Sequence, residues 1–393
     1  MSVTQELLEI PRRLIGSPRD AISTPALILD LPVVERNIAE MARRMRGLPA
    51  ALRPHAKIHK SPVLGQMQLD AGAIGLTTAT IWEASAMLDA GLSDVLVANQ
   101  VVGPLKAAEL ARIAGLGHVI VAVESTENAV ELSLAARQAR TQIGVLVEID
   151  VGLHRSGVRS LDAAVELATQ VEELHGLRLE GLLGYEGHCM LEPDRHTRVD
   201  KAKASNHILI SAADAFDRNG LSTHIVAAGG LGTWDITGAN PRITEIHAGS
   251  YIFMDAFHRK LVPGFEVGLT VLSTVISATG DLAVIDCGRK SMGIDRAIPE
   301  VVGDVGEIRF EHGEFFIHEE HSVLSLSHGL KVGDRVELMP GYAPTTVNLY
   351  DVYFVVADDY VVDVWPILGR YGSVTAGIGP APALPGGLRA RLS

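Results

Sequence analysis

The chain has 393 residues, 47% of them hydrophobic and 21% charged, with a formal net charge of −13. That length exceeds one small core and calls for two domains, or one large barrel with an appendage. The acidic balance argues against general nucleic-acid binding and against a polybasic membrane anchor. Two cysteines far apart, Cys189 and Cys287, exclude a disulfide framework and make a reducing cytoplasm the expected compartment.

The first twenty residues, "MSVTQELLEIPRRLIGSPRD", hold no apolar stretch of signal-peptide length. No run of about 18 apolar residues occurs anywhere, so no transmembrane helix is expected. Between residues 25 and 250, short apolar runs alternate with helical patterns. The runs are "PALILDL", "LRPHAKI", "AIGLTTA", "DVLVANQ", "HVIVAVES", "QIGVLVEID", "LEGLLGYEG", "THIVAAGG" and "RITEIHAGS". Several are apolar nearly throughout, as strands buried on both faces should be. A helix is expected over 30–46, with Asp30 as N-cap, Pro32 in the first turn, and Val34, Ile38, Met41 and Met45 on one face. Another is expected over 81–90, stopped by Gly91. Strand-to-strand spacing of roughly 20–40 residues is the size of a β-α unit. Such units in a row predict a (β/α)8 barrel over 24–260, with an open doubly wound sheet as the alternative. From about 265 the texture changes to strands joined by Gly- and Asp-containing turns. This predicts an antiparallel β-domain built from 1–23 and 261–393, ending in an irregular Gly-, Pro- and Ala-rich tail. The fold class is thus α/β, a barrel plus an antiparallel β-domain.

Catalytic groups of such barrels sit at the C-terminal ends of the strands. The first end carries "RPHAKIHKSP", Arg53 to Pro62. On a strand, Arg53, His55, Lys57 and His59 share one face. Lys60 has opposite parity and precedes Ser61-Pro62, where the chain must leave the strand, which reads as a solvated loop lysine. Later ends carry Glu148, Asp150, His154 and Arg155, then Tyr185, Glu186 and His188. Last come Gly229, Gly230, Gly232 and Thr233, followed by Gly249, Ser250 and Tyr251. Glycine turns let backbone N–H groups approach an anion, and Thr233 and Ser250 add hydroxyls, although "AAGGLGT" is equally compatible with a plain tight turn. A phosphate site without a Walker lysine or Rossmann fingerprint, with a lysine across the barrel, suggests pyridoxal phosphate (PLP). Lys57 is the expected aldehyde-binding residue, its pKa lowered by desolvation and by neighbouring Arg53, His55 and His59.

Taken together, "TPALILDL", "RPHAKIHKS", "EIDVGLHRSGV", "GYEGH", "GGLGT", "HAGSYIFMD" and "PGYAPTTVNLYD" resemble the D-threonine aldolase and D-serine dehydratase group of alanine-racemase-like PLP enzymes. The resemblance runs from about residue 24 to 371, with the motifs in order. It implies a PLP barrel, a β-domain and a homodimer in which the β-domain of one subunit closes the other's active site. It implies Lys57 as the Schiff-base lysine, Arg155 near the cofactor's phenolic oxygen, Tyr185 lining the ring, and Gly230, Gly232, Thr233, Ser250 and Tyr251 at the phosphate. The chain departs from the pattern at three places. The family's metal-ligating His, and the Asp or Cys two residues later, are here Tyr342 and Pro344. Proline offers no ligand atom, so no divalent metal is expected. The family's base, six residues beyond the tyrosine matching Tyr185, is here Leu191, with His188 three residues on. A glutamine that contacts the cofactor falls near Ala79.

These residues lead to a metal-independent PLP lyase acting on a D-configured β-hydroxy amino acid, with His188 or Tyr342 as base. An amino-acid racemase or epimerase using Lys57 and Tyr342 is the alternative, followed by a dehydratase or a PLP carrier without turnover. The expected partners are a small amino-acid substrate and a second copy of the chain, with neither nucleic acid nor membrane. "HEEH", His318 to His321, lacks HExxH spacing and is expected to be a solvated or structural strand. Arg289 and Lys290 fit a substrate carboxylate or a surface turn equally.

Overall fold

The structure is a computed structural model, and it describes residues 3–370; the expected tail, 375–393, lies outside the described residues. The chain divides into two compact units, residues up to 40 with 250–367, and 41–249 with the stretch from 368.

The second of these units is the barrel. Its eight parallel strands are Ala51–Leu52, Leu76–Thr78, Asp94–Gln100, His118–Val123, Ile143–Glu148, Leu177–Gly184, Ile225–Ala228 and Glu245–Ile246. Consecutive strands pair in parallel from 76–78 round to 225–228, with register shifts after Val97 and Val145, and Glu245–Ile246 then pairs with both 225–228 and 51–52. Closure comes from Ile74 N–H donating to the Leu52 carbonyl and Thr77 N–H to the Pro54 carbonyl, each 2.9 Å. Helices between the strands start at side-chain caps Ser61, Thr80, Ser125, Ser160 and Asp194, each accepting a backbone N–H of the first turn. Alternate strand residues Leu96, Ile120, Ala122, Leu146, Leu183, Ile225 and Ala227 meet inside and fill the barrel.

One strand position requires glycine. Gly181 has φ 148°, and a Cβ there would overlap the Ile225 carbonyl on the neighbouring strand. Gly181→Ala should therefore destabilise the barrel by about 1–3 kcal/mol from backbone strain, with the carbonyl overlap adding to it. Urea unfolding monitored by circular dichroism measures this.

The other unit is a largely antiparallel sheet of nine strands. Its path runs Gly306–Ile308, Ser322–Leu326, Leu282–Ile285, Leu269–Thr279, Ala26–Asp30, Val352–Ala357, Tyr360–Pro366. Arg335–Met339 branches from 269–279 and pairs with Glu300–Val301. The run "PALILDL", expected in the barrel, lies in this sheet instead. Ala26 to Leu29 pair antiparallel with 269–272, and Ile28 to Asp30 run parallel to 354–356. Leu8, Ile22, Ala26, Ile28, Leu272, Val356, Val361 and Val364 form its core. The helix after this strand forms as expected, Leu31–Met45, with Asp30 accepting the Val33 N–H at 3.0 Å and Val34, Ile38, Met41 and Met45 buried.

"HEEH" is a tight turn rather than a strand. A Cβ on Gly288 would press on the His318 and Glu319 carbonyls, and Arg289 and Lys290 N–H groups donate to those same carbonyls. The segment is used for backbone packing. Among the described residues, no helix is long and apolar enough to cross a membrane.

Candidate active site

The basic stretch does not form the expected strand. Pairing ends at Leu52, the chain stays extended to His55, which bridges to Thr77, and Ala56–Ile58 close a 3-10 turn. The turn breaks the two-residue alternation on which a shared face depends. The roles of the basic residues diverge accordingly. Arg53 is buried and donates to Glu245 at 3.0 Å and to Asp94. His55 caps the turn, its Nδ1 accepting the Lys57 N–H at 3.4 Å. His59 accepts the Ser61 N–H at 3.0 Å and pairs with Gln68 at 3.2 Å. Burial pushes both imidazoles down, His59 to about 4, so each is neutral near pH 7.

The expected cationic field around Lys57 is therefore absent in that form. Lys57 still has a lowered pKa, first because its ammonium is desolvated and then because the Arg155 guanidinium repels it, while Glu83 opposes both. Lys60 is not the solvated lysine expected. It is buried, in a left-handed conformation at φ 49°, and forms an ion pair with Glu83. Glu83 also accepts the Ala79 N–H at 2.6 Å, so its charge is shared among fixed partners. Glu83 escaped sequence reading because the only local sign was an acidic residue in a helix's first turn.

Arg155 lies over the Tyr185 ring, 5.7 Å from its centroid. A Cβ on Gly230 would sit 3.2 Å from that same ring. The turn after Ile225–Ala228 passes Gly229 in the left-handed region, φ 81°. Gly230 N–H donates to Thr233 Oγ1 at 3.1 Å, and Gly232 N–H to Met190 Sδ at 3.2 Å. Glu186, fully buried, accepts the Gly229 N–H at 3.1 Å and the Thr237 hydroxyl at 2.6 Å, which locks the turn. Glu186 is a second residue the sequence reading quoted without a role. Lys57, Arg155, Tyr185, Gly230 and Thr233 are thus linked around the C-terminal ends of the strands. Ser250 and Tyr251 belong to the other unit, on a 3-10 turn, where Tyr251 is buried with its ring 5.8 Å from Phe265.

His188 sits on the 3-10 turn Gly187–Leu191. Its Nε2 lies 3.4 Å from Ser205 Oγ and 3.7 Å from Cys189 Sγ, and a Cβ on Gly152 would be 3.5 Å from its Cε1. Its Nδ1 is buried without a hydrogen-bond partner. Burial lowers its pKa, so it is neutral and able to take a proton near pH 7. Cys189 is buried with its thiol pushed up to about 11, which leaves it unreactive.

In the sheet unit, Tyr342 caps the short helix Ala343–Val347, and Pro344 is in that helix's first turn. Burial raises the Tyr342 pKa, with help from Asp255 and Asp295 against Arg296, so the phenol keeps its proton at neutral pH. Among the described residues, no three His, Cys, Asp or Glu side chains converge as metal ligands.

The N-terminal mouth of the barrel carries a separate ion network. Arg53 bridges Asp94 and Glu245; His118 Nδ1 and Nε2 lie 3.1 Å from Asp94 and 2.8 Å from Glu180; Arg178 pairs with Glu180 at 2.6 Å. Gly144 leaves room for the Glu180 carboxylate. Hydrogen bonds to Asp94 and Glu180 raise His118 to about 9. A raised imidazole stabilises fully below its unfolded value, roughly 6.5, and that contribution is lost as pH rises through the folded one. The melting temperature should therefore fall between about pH 6.5 and 9, and His118→Asn should flatten that slope. Thermal melts across this range check it.

A family model for the alanine racemase N-terminal domain matches residues 29–256, more than half the chain, and one for a putative serine dehydratase domain matches 268–356. The chain belongs to the alanine-racemase-like family of PLP enzymes. Within it, the chain is 34% identical to D-threonine aldolase of Arthrobacter sp over 363 residues, covering 90% of this chain and 94% of that protein. It is 34% identical to 3-hydroxy-D-aspartate aldolase of Paracoccus denitrificans over 373 residues, with the same coverage. Its structure is similar to the crystal structure of D-threonine aldolase from Filomicrobium marinum, with a TM-score of 0.86 at 33% identity, covering 92% of this chain and 99% of that one. Membership of the D-threonine aldolase and D-serine dehydratase group accounts for both units. The barrel residues suit the family's cofactor on chemical grounds. Lys57 is a desolvated amine, Arg155 a guanidinium over an aromatic ring, and Gly230 packs so closely on Tyr185 that a side chain would crowd the ring.

Proposed function

We propose that this chain is a PLP-dependent lyase that cleaves a D-configured β-hydroxy amino acid between Cα and Cβ, without a divalent metal. The single observation that carries this reading is the side-chain chemistry at Tyr342 and Pro344. A neutral phenol and a ring without a ligand atom replace the imidazole and carboxylate or thiolate that the family resemblance leads one to expect. In this reading Lys57 would hold the cofactor covalently, Arg155 would bond its phenolic oxygen, Tyr185 would line its ring, and Gly230, Gly232 and Thr233 would meet its phosphate.

Bound there, the cofactor supplies an electron sink for the pair released at Cα. The remaining work falls to the chain. A base must take the β-hydroxyl proton while the Cα–Cβ bond breaks and the aldehyde departs, and Cα must then be reprotonated. His188, neutral near pH 7, is the base, and the lowered pKa of Lys57 suits its amine to exchange a proton at Cα. A metal would make the β-hydroxyl more acidic by stabilising its oxyanion. Tyr342, which keeps its proton, does the same by donating a hydrogen bond from Oη to that oxygen. Tyr342 is supplied by a second copy of the chain, in the homodimer that the resemblance implies. The racemase alternative is disfavoured, because it needs Tyr342 as an anionic base and its surroundings favour the phenol.

The test is a panel of D- and L-β-hydroxy amino acids offered to the PLP-loaded protein with and without chelator. Aldehyde release from D-members alone, unchanged by chelator, is expected. Loss of that release on chelation, with recovery on adding a divalent ion, would overturn the metal-independent reading.

A further inference from the structure

Tyr342 is held in place by far more contacts than a surface aromatic needs. Ala256 N–H donates to the Pro340 carbonyl at 3.0 Å, and Asp255 Oδ2 accepts the Ala343 N–H at 2.9 Å, so the segment 254–258 grips the loop on both sides of Tyr342. The Tyr342 carbonyl accepts the Thr346 hydroxyl at 2.8 Å. Gly341 has no room for a side chain, because a Cβ would overlap the Ala297 carbonyl.

The ring is fixed as firmly as the backbone. Asp255 is wholly buried, and its carboxylate receives His258 Nδ1 at 2.8 and 2.9 Å and the His258 N–H at 2.7 Å. That bond sets the plane of the His258 imidazole. The imidazole stacks on the Tyr342 ring, with centroids 5.7 Å apart and planes at 22°, and Phe257 meets the phenol edge-on at 6.2 Å. Among the described residues, the Tyr342 hydroxyl makes no hydrogen bond. A phenol whose backbone and ring are both fixed and whose hydroxyl is left unpaired is arranged to donate that hydroxyl to something else.

We propose that Asp255 and His258 are positioning residues for Tyr342, the buried carboxylate aligning the imidazole and the imidazole serving as the platform that aims the phenol. The inference rests on the reading of Tyr342 as the group that acts on the β-oxygen. A metal ion fixes its ligands by coordination. A phenol in the same loop position needs its direction from packing, and the carboxylate, imidazole and phenol stack supplies it.

The experiment compares H258L, H258F and Y342F, alone and as the doubles with Y342F, in the PLP-loaded protein with D-threonine as probe. H258L has about the volume of the imidazole but offers neither an aromatic platform nor the Nδ1 donor, whereas H258F keeps a platform. H258L should lower kcat by about 10- to 100-fold, the scale on which misaimed reacting groups act, with little change in KM. H258F should recover part of that loss, because it keeps the platform and loses only the Asp255 bond that sets its plane. In the Y342F background, H258L should lower kcat no further, since the group it aims is gone. Equal losses in H258L and H258F, or a full additive loss on top of Y342F, would overturn the positioning role. A Y342F variant with wild-type kcat would instead overturn the reading of Tyr342 itself. Should H258L fail to fold, the comparison of H258F with wild type decides: kcat within a few-fold supports the platform, and loss on the scale of Y342F overturns it.

Discussion

Lys57→Ala should abolish the visible absorbance of bound cofactor and lower turnover by about 10³-fold or more, the scale on which loss of a covalent catalytic group acts. The expectation rests on the desolvation of Lys57 and on Arg155 nearby, which together keep its pKa below the ordinary lysine value. Lys60→Ala is the informative companion. Lys60 is the only other lysine in the stretch, and its ion pair with buried Glu83 gives it a structural duty. Removing it leaves a buried carboxylate short of its cation, which destabilises by about 3–5 kcal/mol in comparable buried pairs. The cofactor band should therefore survive in Lys60→Ala while the melting temperature drops. A band that persists in Lys57→Ala and vanishes in Lys60→Ala would reverse the assignment.

Tyr342→Phe should lower turnover by about 10²–10³-fold, the range reported for removing one preorganised donor to a developing oxyanion. Its ring and backbone stay in place, because the stack on His258 and the clamp from Asp255 involve no hydroxyl. The melting temperature should therefore hardly move, which separates a chemical loss from a structural one. The pH profile carries a second sign. The phenol is pushed above its ordinary value, so the wild-type rate should not require its ionisation and should hold through neutral pH. With His188 as the proposed base, lowered by burial, the acidic limb should fall only below the ordinary histidine range. A rate that rises as Tyr342 ionises would favour the anionic base of a racemase.

Much of this architecture is legible in the sequence where the signal is local. The helix over Leu31–Met45 could be read because Asp30, Pro32 and four apolar residues at helical spacing sit within sixteen positions. The barrel strands could be read because parallel strands buried on both faces are apolar throughout. The same property misplaced Ala26–Leu29. A central strand of the other sheet is buried on both faces as well, and its partners at 269–272 and 354–356 lie hundreds of residues away. The basic stretch failed for a different reason. Alternating Arg53, His55, Lys57 and His59 mimic a strand face, but pairing ends at Leu52 and the 3-10 turn changes the period. The proposal that Lys57 is the reacting lysine thus rests on burial and charge and no longer on parity.

The charges that the sequence leaves unexplained are mostly partners across long separations. Arg53 meets Asp94 41 residues on and Glu245 192 residues on, and no local pattern announces either. Asp255 and Tyr342 are linked in the same way, through the Ala343 N–H 88 residues from the aspartate. The sequence identified Tyr342 as a departure from the family, and the structure adds what surrounds it.

Proton NMR of the chelated, PLP-loaded protein with D-threonine in deuterated water tests the central claim most directly. The account predicts glycine, deuterated at Cα, together with acetaldehyde, from the D-isomer and not from the L-isomer. Deuterium at Cα of intact threonine with inversion and no aldehyde, or a 2-oxo acid with ammonia, would contradict it.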